Sequence, residues 1–114
     1  MPVKVRARLQ DRALGCCEIC GTFGATNAHH RKNRSQGGKD DLANLMLLCG
    51  SGTTGCHGTV TMAPVWAENL GYTVRRDQAP ESIPVWRWSR SAARNEWVLL
   101  DADGTLTPSM LEEA

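Results

Sequence analysis

Phenylalanine and tyrosine are nearly missing, with one of each in 114 residues. Three of the four tryptophans stand beyond residue 85. Residues 13–60 are therefore thin in the large side chains that usually fill a core, and their order must come from another source. Long apolar runs are absent as well. The longest aliphatic stretch, Leu45-Met46-Leu47-Leu48, falls far short of the roughly 20 residues that cross a bilayer. The basic start (Lys4, Arg6, Arg8) has no apolar stretch behind it. Neither a secretory leader nor a membrane partner is expected, and a cytoplasmic location follows as the expectation. No internal repeat is present, and the length suits one domain.

Net charge is nearly absent too, at +1, but it is unevenly spread. Residues 1–40 hold eight Lys/Arg against three acids, and residues 41–114 hold five against nine. A basic first third is compatible with a polyanionic partner and equally with a solvated helix face.

Helix and strand signals alternate along the chain, which predicts an α+β fold. Residues 3–14 read as a helix with Val5, Leu9, Ala13 and Leu14 as its apolar stripe, its Arg and Asp on the other face, and Gly15 beyond its end. Residues 25–31 read as a short strand, 33–39 as a polar glycine-bearing loop, and 42–48 as an apolar segment. A helix is expected from His57 to Gly71, kinked or restarted at Pro64. Beyond it, residues 85–88 alternate, residues 97–100 are continuously apolar, and Asp103-Gly104 signals a hairpin returning through residues 105–107. This divides the chain into a core, residues 1–71, and a β-hairpin appendage, residues 72–114, within one compact unit. Trp86 and Trp88 would share a strand face and form a small core with Trp97. Residues 111–114 read as a frayed tail.

Five cysteines in such a chain call for a role. With no secretory signal, and with an odd count, a disulfide scaffold is disfavoured. Cys17 and Cys20 lie in C-x-x-C-G, the form of a zinc knuckle, and Cys49 and Cys56 supply a second pair across a Gly/Thr-rich loop. Four thiolates are a soft tetrahedral set suited to structural Zn²⁺, which can supply folding free energy on the order of 10 kcal/mol. Cys16 is the spare, although its spacing to Cys20 also allows a pair. A redox pair at Cys17 and Cys20 is the competing reading, and the surroundings lack its βαβ pattern.

The three histidines are not scattered. His29 and His30 are adjacent, and His57 follows Cys56 directly. Successive side chains of a strand point to opposite faces, so one of the pair can bind a metal while the other aims elsewhere. A zinc staple would return His57 to the segment after Cys20. A divalent ion between His29 and His57, with His30 free as a base and Arg31, Lys32, Arg34 and Lys39 nearby, is the equipment of phosphodiester hydrolysis.

In this order, C-x-x-C-G, Ala28-His29-His30-Arg31, Gly37-Gly38, Asn44-Leu45, Leu48-Cys49 and Cys56-His57-Gly58, the chain resembles the HNH endonuclease family, most closely its phage and prophage branch. The resemblance spans roughly residues 13–70. It implies a ββα-metal fold around one divalent ion, to which the zinc knuckles, N-terminal helix and C-terminal β appendage read from the residues are added. It implies His30 as general base, His29 (often Asp in the family) and His57 as ligands of a catalytic Mg²⁺, Mn²⁺ or other divalent ion, and Asn44 as the residue that ties the loop. Cys17, Cys20, Cys49 and Cys56 match the structural zinc. Arg31, Arg34 and Lys39 are the expected DNA phosphate contacts. Some members carry a further His four residues after the last; here Thr61 stands there. The implied partners are DNA and, for a phage-encoded protein in its bacterial host's cytoplasm, the terminase of DNA packaging; a monomer or weak dimer is expected. The rival reading is a non-catalytic zinc-binding adaptor for DNA or protein, which would need only the cysteines.

Overall fold

Helix α1 (Val3–Ala13) stops where Leu14 enters the left-handed region, its N–H turned back to the Asp11 and Gln10 carbonyls. In the computed structural model, which describes residues 1–109, Leu9 and Ala13 are buried. Leu14 is about half exposed and leaves the predicted stripe. The expected tail at residues 111–114 lies outside the described residues.

Strands β1 (Asn27–His30) and β2 (Leu45–Leu48) pair antiparallel, with His29 opposite Met46 and His30 opposite Leu45. Every residue of β2 is buried. That explains its continuous apolar run: a strand covered on both faces has no reason to alternate. Helix α2 (Gly55–Met62) follows, completing a ββα unit. Pro64 breaks the helix path as anticipated, and α3 (Pro64–Asn69) restarts from it. No helix among the described residues is long and apolar enough to cross a membrane.

A second antiparallel sheet holds β3 (Val85–Ser89), β4 (Arg94–Leu100) and β5 (Leu106–Pro108), in that order. Its inward face carries Val85, Val98 and Leu100 into the same apolar cluster as Leu9 and Leu45–Leu48. The sheet is thus a wall of the common core. The expected three-tryptophan core is corrected accordingly. Trp86 and Trp97 do meet, with ring centroids 5.3 Å apart. Trp88 instead lies over Gly21 of the cysteine turn.

A buried charged cluster joins these parts. Glu18 is 1% exposed and accepts hydrogen bonds from Arg12 of α1, from Arg87 of β3 and from the Leu47 backbone of β2. Arg12, read from the sequence as part of the polar helix face, turns inward and also donates to the Leu42 and Leu45 carbonyls. Burial would raise the Glu18 pKa, but the two guanidinium charges outweigh it and hold the carboxyl below its ordinary value.

Candidate metal centre and histidine cleft

The sulfurs of Cys17, Cys20, Cys49 and Cys56 all lie within 4.8 Å of one another. Zinc–sulfur bonds of about 2.3 Å in a tetrahedron put sulfurs ~3.8 Å apart. Cys20 and Cys49 Sγ already stand at 3.7 Å. The Ile19 and Cys20 amides point at Cys17 Sγ, and the Cys56 amide at Cys49 Sγ, donors that favour thiolates. Cys16, though buried, lies outside the cluster and receives a hydrogen bond from Arg90. Cys17, not Cys16, is therefore the partner of Cys20.

Two glycines make these turns possible. Gly21 has φ +82°, and a Cβ there would stand 2.7 Å from the Trp88 ring. Gly50 has φ +87°, and a Cβ would strike the Thr54 carbonyl. Ser51 and Thr54 close the loop between the second pair through backbone and hydroxyl bonds, returning Cys56 to Cys49. Burial raises the Cys17 and Cys56 thiols above their ordinary range. At Cys20 burial is outweighed by hydrogen bonds, chiefly from Thr22, which bring it down to about 7. Four crowded thiols with two so raised do not ionise together without a cation among them, so the donor set fits zinc.

The staple delivers His57 beside β1. The His29 and His57 rings meet edge to face at 5.3 Å. His29 is 8% exposed and its Nε2 donates to the Tyr72 carbonyl at 2.7 Å. Its Nδ1 therefore keeps the lone pair, the arrangement of a metal-ligating imidazole held by an outer hydrogen bond. Nδ1 of His57 is buried with no hydrogen-bond partner. Burial pushes the His29 pKa down to about 4, and it also lowers that of His57. Both shifts favour the neutral ring, the form in which imidazole binds a metal. An orphaned buried nitrogen beside an oriented lone pair fits a divalent ion.

His29 and His30 both line a cleft of about 250 Å³ walled by Thr61, Pro64, Thr73 and Val74. His30 Nε2 lies 2.7 Å from Asp40 Oδ1, and Arg34 donates to both oxygens of that carboxylate. The hydrogen bond from His30, then Arg34, lowers the Asp40 pKa. Asn44 is 1% exposed. Its oxygen accepts the Lys32 amide, while its nitrogen donates to the Lys32 and Lys39 carbonyls.

Of the expected phosphate contacts, Arg34 and Lys39 are exposed, but Arg31 is not. Arg31 is 2% exposed and its guanidinium donates to the carbonyls of Gly71, Ala43, Pro80 and Ile83. It clamps the segment after α3 onto the ββα unit and has no face for DNA, so it leaves the phosphate-contact set. Sequence reading missed Asp40, the Tyr72 carbonyl and Glu18. Only Glu18 carried a signal: an acid between two cysteines of a candidate metal cluster must turn away and find cations.

The family model described as HNH endonuclease matches residues 17–61, a span that contains all four clustered cysteines, the three histidines and Asn44. No curated protein and no solved structure matches the chain.

Proposed function

We propose that this chain, whose residues 17–61 match the HNH endonuclease family model, is a divalent-metal-dependent endonuclease that hydrolyses DNA phosphodiester bonds. The observation that carries this reading is that His29 meets the ring of His57 and shares a cleft with His30. His57 offers a buried, unpartnered Nδ1 in ring contact with His29, whose own Nδ1 keeps its lone pair, and His29 and His30 line one cleft. His29 and His57 would hold the ion, which when bound would supply charge to polarise the scissile phosphate and stabilise the departing oxygen.

The protein's own groups supply the rest. His30 takes the proton from the attacking water. Asn44 holds the loop between Lys32 and Lys39 in place. Arg34 and Lys39 present cations to the DNA backbone. The four-cysteine zinc site touches no reacting atom; it keeps His57 opposite β1. The products carry 5′-phosphate and 3′-hydroxyl ends. A phage origin and a terminase partner belong to this proposal through the family resemblance, and co-purification with a terminase subunit tests them.

The decisive experiment is cleavage of supercoiled plasmid by zinc-loaded protein with Mg²⁺, with Mn²⁺ and with neither, beside His30→Ala. Cutting that needs added ion and falls about 10²- to 10⁴-fold in the variant is expected. The ratio of nicked to linear product reads whether one site acts alone. Folded, zinc-loaded protein that binds DNA without cutting under any ion would overturn the reading in favour of the adaptor.

A further inference from the structure

We propose that Asp40 is a positioning residue for His30: it accepts the Nε2–H of the imidazole, is held there by Arg34, and so leaves Nδ1 as the nitrogen that takes the proton from water. This deepens the proposed endonuclease and rests on His30 being its base.

The argument is one of donors and acceptors. Arg34 has only N–H groups to give and places Nη2 on both oxygens of Asp40. The carboxylate has only lone pairs, so the nitrogen of His30 at 2.7 Å must bring the proton. In the neutral ring the remaining lone pair then sits on Nδ1. Asp40 and His30 are three-quarters buried, so the pair is less open to exchange with water than a surface contact.

The partners lie ten positions apart in the chain, and the loop between them is closed by Asn44. The Asn44 side chain binds Lys32 at one end and Lys39 at the other. Lys39 adjoins Asp40. Asn44 thus acts on the base through a chain of four links: its amide, the Lys39 backbone, the Asp40 carboxylate and the imidazole.

The test is Asp40→Asn, which keeps shape but offers one acceptor and one donor. Arg34 can use only the acceptor. The amide NH₂ then faces His30, whose Nε2 must accept and whose proton moves to Nδ1, blocking the base. The expected result is a kcat lower by about 10²-fold or more with KM little changed, since a base in the wrong tautomer is disabled while binding is not. ¹⁵N-histidine NMR of zinc-loaded protein, without added ion, should show His30 protonated on Nε2 in the parent and on Nδ1 in the variant. Adding Arg34→Ala frees the Asn oxygen to turn to His30, and both the Nε2 tautomer and at least a tenfold gain in kcat should return. A wild-type rate in Asp40→Asn, an unchanged tautomer, or no recovery in a folded double variant each overturns the proposal. If the parent itself does not cut, the endonuclease reading fails, while the NMR arm still decides whether Asp40 sets the tautomer.

Discussion

The ββα segment and the C-terminal sheet solve the same problem with different means. The first has two four-residue strands and an eight-residue helix, each too short to persist alone. The second has strands of five and seven residues in a continuous ladder, with a tryptophan pair across it. Apolar burial and backbone pairing are the sheet's main means, with Arg87 of β3 tied to Glu18. The ββα segment instead gathers four cysteines whose donor set fits a metal, and spends charged side chains on backbone carbonyls. The difference teaches why the segment needs these devices. A region thin in large side chains cannot fill a core of its own, so a few polar staples hold its order.

Removing zinc should break this comparison most severely. Structural zinc contributes on the order of 10 kcal/mol, comparable to the whole stability of a small domain. The two regions share one core. Chelation, or Cys49→Ser, is therefore expected to abolish the cooperative unfolding transition and the near-ultraviolet dichroism of Trp86 and Trp97 together. A tryptophan signal that survives chelation would mean that the sheet stands alone and that the staple serves only the first region.

The next largest effect is expected at Glu18, where both regions and α1 meet. Glu18→Ala leaves Arg12 and Arg87 buried with no counter-charge and the Leu47 amide without its acceptor. Breaking one partner of a buried charge network costs about 3–5 kcal/mol. Denaturant unfolding measures it. A loss below ~1 kcal/mol would show that water reaches the cluster, and that the regions are joined by apolar contact alone. Arg31→Met follows, at about 2–4 kcal/mol for buried carbonyls left unpaired. Its DNA affinity should keep the parent's dependence on salt, because its guanidinium already serves four carbonyls.

Much of the fold was legible because local chemistry dictates it. Alternation marked β3, proline restarted a helix, and Asp103-Gly104 turned β4 into β5. The cysteine set was legible because metal-ligand spacing constrains a chain, while the ββα unit was expected through the resemblance that the ordered motifs carry. What the residue types did not reveal is which cations are buried. Arg31 and Arg34 sit three positions apart in one basic stretch, yet the partners of Arg31 lie 12 to 52 residues away. No local pattern encodes such contacts. Asp40 was illegible for the same reason: an acid beside a glycine loop looks like solvent-facing charge until the loop folds back on His30. Trp88 looked like sheet core because its partner across space is a glycine, which leaves no hydrophobic mark in the sequence.

Arg34→Ala is the finest test, and it sharpens the contrast between neighbours with the same side chain. Its stability cost should be within about 0.5 kcal/mol, as for an exposed pair. Arg34 is 61% exposed, and among the described residues only its Nη2 is committed to Asp40. Its other donors are free to meet a phosphate while that contact persists. DNA binding measured across salt concentrations should then lose about one unit of logarithmic slope, the signature of one phosphate contact removed. Arg31→Met should leave that slope unchanged while costing far more stability. An unchanged slope in Arg34→Ala would assign Arg34 to Asp40 alone and leave Lys39 as the cation of this loop that meets DNA. Equal slopes lost in both variants would contradict the burial of Arg31, because a guanidinium enclosed by four carbonyls releases no counterion when DNA arrives.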